Sequence, residues 1–371
     1  LGMSRPSGFS VRTSDMTDVL CVLTHSPPAM GWGGAVRSAA ATARMMSDAG
    51  FKTRILASDG NVAGRPALSQ GQAEGVNGVA CTLFHTPFAK RFGFGLGALP
   101  ALWREARRAR CLYVSGVFTW PTTIAGWLAR LMAKPYAVCP HGGLLLEHLE
   151  ELRSRKPLKY TYYQMLVRPI VEGASLVRVS SDFEQRELLA AFPGVQTIVI
   201  PNAFSVSAIP YAEERVTTRG RAFVYVGRLE QDKGILRFLR LWLDVAGPED
   251  RLQIIGSGVG SYADALRALS ATDQRVHLLG ELDRDGVYAA IAASDILCLP
   301  SGLDGTLREN FGNVVVEALG VGRPIMVSRG LAWDHIEEGG LGILFDVDDA
   351  SVRSAISRSS AEDWIVEPYT R

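Results

Sequence analysis

The sequence has no C-x-x-C pair. Cys21, Cys81, Cys111, Cys139 and Cys298 are scattered, with no metal-like spacing to its six histidines. That excludes a structural zinc site and points to reduced thiols in a protein expected in the cytoplasm. A hydrophobic leader is missing too: the start, LGMSRPSGFSVRTSDMTDV, is polar, and Leu1 and Gly2 before Met3 look like residues added ahead of a natural start. The longest uncharged run, Cys111 to Ala129, approaches membrane-spanning length. It contains Gly116, Pro121, Gly126 and several threonines in a strand-turn-helix pattern, so no transmembrane helix is expected.

An overall charge is also lacking, since 39 Lys/Arg face 38 Asp/Glu in 371 residues. The balance is uneven along the chain. Residues 1–200 carry 22 basic against 13 acidic side chains, and residues 201–371 carry 17 against 25. Much of the positive excess lies in Lys90 to Arg110 and in RSRKPLKYTYYQMLVR (153–168). These read as solvated helix faces or as a surface for anionic headgroups or an anionic acceptor. No nucleic-acid motif accompanies them.

With 47% hydrophobic residues there is material for two cores. Short apolar runs alternate with amphipathic segments. Strands are predicted at 18–25, 53–58, 79–85, 111–116, 136–142, 176–181 and 197–202, with helices at 35–49, 121–133, 157–171 and 182–191. The rhythm restarts with strands at 223–228, 251–257, 275–280, 296–301 and 324–328. Such alternation predicts parallel sheets covered on both faces: an α/β chain of two doubly wound, Rossmann-like domains. The boundaries are drawn at 1–203 and 222–371, with a Ser-, Pro- and charge-rich linker at 204–221. Ligands are expected in a cleft at the carboxyl ends of the strands.

Arg228 and Lys233 leave the strand FVYVGR on one loop, where an anion is expected. In RENFGNVVVEALG (308–320), the turn Phe311-Gly312-Asn313 opens a helix whose free amides form a second anion site. Glu309 and Glu317 would be roughly 12 Å apart if both were helical, too far for a glycosidase pair at about 5–10 Å. Glu317 stands in an apolar run, which a carboxylate enters only with a polar partner.

Taken together, Gly227-Arg228, Lys233-Gly234, Gly256-Ser257-Gly258, Leu279-Gly280, Pro300-Ser301, Glu309-x7-Glu317, Gly322 and Pro324 resemble the retaining nucleotide-sugar glycosyltransferases of the GT-B fold (glycosyltransferase family 4). Glycogen synthase and many bacterial polysaccharide and lipid glycosyltransferases share that pattern, and the resemblance covers most of residues 18–346. It implies that Arg228 and Lys233 hold the diphosphate, Glu309 the sugar hydroxyls and Glu317 the ribose hydroxyls. Gly256, Gly258, Leu279, Phe311, Gly312 and Asn313 would complete the nucleotide-sugar site. In the first domain Gly33 and Gly34 match a loop that lets substrates approach the backbone, and His141 matches a histidine facing the transferred sugar.

The resemblance further implies a UDP-, GDP- or ADP-sugar donor and a hydroxyl acceptor, expected to be a glycan or lipid-linked saccharide of surface-polysaccharide biosynthesis. It implies no cofactor, no catalytic metal and no nucleic-acid partner. An epimerase of the same fold, or transfer to a small soluble acceptor, are the alternatives. The loop Gly302 to Arg308 is longer than in many relatives, Ala203 replaces a common glycine after Asn202, and only about one helix follows Asp346, where relatives usually continue. The run Gly256 to Ser261 imitates a dinucleotide fingerprint, but Ser261 replaces its third glycine. Asp283-x-Asp285 and Asp346-x-Asp348 imitate a metal-binding pair. Trp32 and the tyrosines 160, 162 and 163, set among Arg153, Arg155, Lys156 and Lys159, are expected to dock the protein at the inner face of the plasma membrane.

Overall fold

The computed structural model describes residues 16–26, 34–60, 78–87, 90–203, 220–305 and 311–359. Gly33, Trp32, Glu309 and nearly all of the expected linker lie outside them. The described chain forms two compact units: one of residues 16–179 and 185–203, the other of residues 220–359 with 180–184.

The first unit is a sheet of seven strands: β1 (Thr17–His25), β2 (Thr53–Ser58), β3 (Ala80–Phe84), β4 (Ala109–Ser115), β5 (Tyr136–Cys139), β6 (Leu176–Val179) and β7 (Thr197–Val199). All pairs are parallel, in the order β3-β2-β1-β4-β5-β6-β7. Its helices are α1 (Gly34–Asp48), α2 (Ala98–Arg108), α3 (Trp120–Leu131), α4 (Leu146–Arg155), α5 (Pro157–Tyr162), α6 (Arg168–Glu172) and α7 (Asp182–Ala191), the first three residues of α7 grouping with the second unit. Ala98, Leu102 and Ala106 of α2, Ala125 and Ala129 of α3 and Ile170 of α6 bury one sheet face. Ala39, Ala40 and Ala43 of α1 bury the other.

The helix expected at 157–171 is interrupted by a π turn at Tyr163–Val167. It falls just ahead of Pro169, which has no N–H to continue the α ladder. The expected tyrosine face is not formed. Tyr163 is buried in a core cluster, the Tyr162 hydroxyl meets Thr123 Oγ1 at 2.5 Å, and Tyr160 accepts from Gln164 at 2.8 Å.

The second unit repeats the plan with β8 (Ala222–Val226), β9 (Arg251–Ile255), β10 (Val276–Gly280), β11 (Ile296–Leu299), β12 (Ile325–Ser328) and β13 (Gly342–Phe345). All pairs are parallel, in the order β10-β9-β8-β11-β12-β13. Between them run α8 (Ile235–Val245), α9 (Ser261–Ser270), α10 (Arg284–Ala292), α11 (Asn313–Val321) and α12 (Asp349–Arg358). In both sheets the first strand pairs with the second on one side and the fourth on the other. Successive crossovers therefore diverge at β1/β4 and β8/β11, the positions where doubly wound sheets leave room for ligands.

Arg178 is a buried cation outside the expected list. Arg178 on β6 donates to Thr42 Oγ1 (3.1 Å), Tyr113 Oη (2.7 Å), Ile200 O (3.1 Å) and Pro201 O (2.5 Å). It thereby ties α1 and β4 to the chain that leaves β7. Arg178→Met should strand several of these acceptors and cost about 1–3 kcal/mol. The expected result is a lower urea midpoint with an unchanged m-value; an unmoved midpoint would show that water replaces the guanidinium at no cost.

Candidate active site

At the carboxyl ends of β8, β9 and β10 the backbone ladder continues into the loops. Gly227 N donates to Ile255 O (3.0 Å), Leu229 N to Ser257 O (2.9 Å) and Gly256 N to Gly280 O (2.7 Å). The loops are so close that Gly256 and Gly258 leave no room for side chains. A Cβ on Gly256 would lie 1.8 Å from Gly227 O, and one on Gly258 would lie 2.5 Å from Leu229 O. These glycines are needed first for loop packing. Leu279 is exposed beside them at the end of β10.

The Gly227–Gly234 loop carries Arg228 and Lys233, but not as bare cations. Arg228 pairs with Glu230 and lies 3.8 Å from Asp232. Lys233 Nζ is 4.0 Å from the same Asp232 carboxylate. Two cations and two anions thus make the loop neutral. The pairs differ in what they would cost to exchange. Arg228 and Glu230 are 54% and 47% exposed, so their pair is worth at most about 1 kcal/mol. Lys233, at 11% exposed, is held in place.

Gly234 follows in the left-handed region (φ 68°), and a Cβ there would meet Pro300 O at 2.0 Å. The loop after β11 is clasped to the same place. Asp304 accepts from Tyr262 Oη (2.6 Å) and Arg237 N (3.0 Å), while Gln231 Nε2 donates to Asp304 O (2.9 Å) and Gly302 N to Asp232 O (2.9 Å). Asp304 therefore caps the amino end of α8. Residues 302–305 are thereby built into the fold.

Beyond residues 306–310, Gly312 (φ 66°) opens α11, and a Cβ on it would touch Leu299 at 2.6 Å. Phe311 is buried against Trp333, ring centroids 5.1 Å apart, and its carbonyl accepts from Trp333 Nε1. The helix ends at Gly322 (φ 83°), with Gly322 N donating to Leu319 O and Arg323 N to Ala318 O, ahead of Pro324. Glu317 lies one turn inside α11 and is buried. α11 begins at Asn313 and carries Glu317; Glu309, and with it the expected separation of roughly 12 Å, lies outside the described residues. Lys233 and the start of α11 converge through the end of β11, since Gly234 packs on Pro300 and Gly312 on Leu299.

In the first unit a cavity of about 240 Å³ opens at the β1/β4 divergence, lined by Thr24, His25, Arg91, Ser115, Phe118 and His141 among others. Gly34 begins α1, whose Ala35, Val36 and Ala39 form another wall. His141 Nε2 is 2.8 Å from Ser115 Oγ. His141 and Phe118 both have left-handed backbones, φ 51° and 63°, a strain that clusters at ligand sites. His25 Nδ1 meets Ser58 Oγ at 2.9 Å, and burial pushes its pKa down to about 4. At neutral pH His25 is uncharged, and the guanidinium at this cavity is that of Arg91.

Two imitations resolve otherwise. Asp283 and Asp348 are helix caps, accepting from Gly286 N and Ser351 N at 2.9 Å each. The glycine run after β9 follows the second strand of its sheet, whereas a dinucleotide fingerprint follows the first.

Family comparison accounts for both units. A glycosyl transferase 4-like domain matches residues 33–203, and the domain of glycosyl transferases group 1 matches residues 220–360. The chain belongs to this glycosyltransferase family. Among its relatives is phosphatidyl-myo-inositol mannosyltransferase of Mycobacterium tuberculosis, 29% identical over 210 residues, 54% of this chain and 53% of the relative. Glycogen synthase of the same organism is 29% identical over 201 residues, 52% of this chain and 46% of the relative. The chain spans about half the length of the curated relatives it matches. Sucrose-phosphate synthase from Thermosynechococcus elongatus superposes with TM-score 0.72 at 18% identity, covering 94% of this chain and 90% of that one. Anabaena HepE in complex with UDP and glucose gives 0.68 at 17%, covering 94% and 91%. At these identities the likeness establishes the GT-B fold.

An anion that engages Arg228 would compete with Glu230 for its guanidinium. Glu230→Gln should therefore tighten nucleoside diphosphate binding by up to roughly fivefold, the equivalent of an exposed pair of at most about 1 kcal/mol. Calorimetric titration of both forms checks this; weaker binding in the variant would show that Glu230 itself assists the ligand.

Proposed function

We propose that this chain is a retaining glycosyltransferase, moving a sugar from a UDP-, GDP- or ADP-sugar to a hydroxyl of a lipid-linked or surface-polysaccharide glycan. The observation that carries the reading is the convergence of the Arg228–Lys233 loop and the amino end of α11 at adjoining strand ends. When the sugar–phosphate bond breaks, negative charge grows on the departing diphosphate. Lys233, Arg228 once released from Glu230, and the α11 amides at Gly312 and Asn313 stabilise it, in this reading without a metal. A solved neighbour crystallised with UDP and glucose supports a nucleotide-sugar donor. A relative named for phosphatidyl-myo-inositol supports a lipid acceptor.

In this reading Glu309 binds the donor sugar's hydroxyls and Glu317 the ribose. Gly256, Gly258 and Leu279 form the wall beside the nucleotide, and Phe311 sets the α11 entrance. His141 orients the transferred sugar from its strained loop, with Gly33 and Gly34 allowing close backbone approach. The leaving phosphate helps deprotonate the acceptor on the face it departs from. The first-unit cavity takes the acceptor's reacting ring. At about 240 Å³ it is smaller than the roughly 300–1,000 Å³ of drug-sized sites and suits one ring. An epimerase would need no such second site, so the cavity favours transfer.

Glu309→Gln should abolish transfer while leaving nucleoside diphosphate affinity nearly intact, and Lys233→Ala should lower kcat/KM by about 2–4 kcal/mol equivalent. Turnover assays with calorimetry distinguish the two. Full activity of Glu309→Gln would remove its assigned role, and product formation without acceptor would favour epimerisation.

A further inference from the structure

The helix layer formed by α2, α3, the π turn and α6 turns its inner side to the sheet and presents a different chemistry outward. Leu99 and Trp103 lie one turn apart on α2, Trp127 and Leu131 one turn apart on α3, and Met165 and Leu166 follow in the π turn; all are exposed, Leu131 at 75% and Met165 at 66%. Trp127 is fixed by a 3.1 Å bond from its Nε1 to Leu166 O. That bond joins the α3 and π-turn parts of the patch. Arg130 stacks on the same indole, 5.5 Å from its centroid.

The charge on the α2 and α3 part of this layer has one sign, whereas on α6 Glu172 is half-exposed and pairs with Arg168 at 2.7 Å. From residue 90 to 135 there are eight Lys/Arg and a single acid, Glu105. Glu105 is buried and paired with Arg54 and Arg104. Arg104, Arg107, Arg108 and Arg130 are left exposed around the apolar side chains. None of these residues belongs to the sites described above.

We propose that this face docks on the surface of a bilayer rich in anionic lipid, with the tryptophans, leucines and Met165 entering the interface and the arginines meeting headgroups. Tryptophan and arginine side chains with a polar end and an apolar body suit that boundary. Each cation near an anionic surface strengthens binding roughly fivefold. A second copy of this chain fits poorly, because a two-fold contact would place the cationic patch against itself. No helix among the described residues is long and apolar enough to cross a membrane, so the contact would be superficial. This surface replaces the expected tyrosine face, and it extends the proposed lipid-linked acceptor without depending on turnover.

The test is co-sedimentation of the full chain with phosphatidylcholine vesicles, alone or mixed with phosphatidylglycerol, at low and physiological salt. Binding should require phosphatidylglycerol and weaken as salt rises. Arg107→Glu with Arg108→Glu should weaken it roughly tenfold or more, and Leu131→Glu with Met165→Glu comparably, both with an unchanged thermal midpoint because the side chains are exposed. Absence of binding at low salt, or equal binding by both variants and the parent chain, overturns the proposal while leaving the transferase reading intact. A dimer by light scattering that Leu131→Glu splits would overturn it too, by assigning the face to a second copy.

Discussion

Backbone-on-backbone packing at the carboxyl ends of β8, β9 and β11 is the constraint on which the second unit's site depends. Gly256 on Gly227, Gly258 on Leu229 and Gly234 on Pro300 are backbone contacts that a Cβ would break, and Gly312 packs on the Leu299 side chain. They bring three loops and the start of a helix to one edge of a sheet whose order diverges there. A site built this way presents amides and short side chains with little freedom. That suits an anion whose charge changes during reaction, because dipoles already in place cost little reorganisation.

Electrostatics then divides the work among groups of the same type. Of the two cations on the Gly227–Gly234 loop, Lys233 is nearly buried and Arg228 is exposed in an exchangeable pair. At the amino end of α8, Asp304 already accepts from Arg237 N. In the first unit burial keeps His25 neutral, so Arg91 carries the charge at its cavity.

Much of this was legible in the chain itself. β2 (Thr53–Ser58) and α7 (Asp182–Ala191) fall on their predicted residues, because each has a clear period and a clear stop. β13 (Gly342–Phe345) escaped notice: a glycine and three apolar residues carry no period to read. The basic run Lys90 to Arg110 showed its charge but not that it holds α2 and the first residues of β4. Glycine spacing located the strand-end loops, whereas the neutralising role of Glu230 and Asp232, the Asp304–Tyr262 clasp and the Trp333 support are long-range or geometric and leave no local pattern. His25 and Ser115 could have been found by looking at strand ends. The strain at Phe118 and His141 could not, since φ is set by the packed loop.

The central claim is that the edge formed by Arg228, Lys233 and α11 holds a nucleoside diphosphate. Thermal unfolding with UDP, GDP and ADP in turn tests it most directly. One of them, at roughly 100 times its dissociation constant, should stabilise the protein by about 2.7 kcal/mol, and Lys233→Ala should lose most of that gain. If none of the three moves the transition, or if Lys233→Ala is stabilised as fully as the parent chain, the account of this site is contradicted.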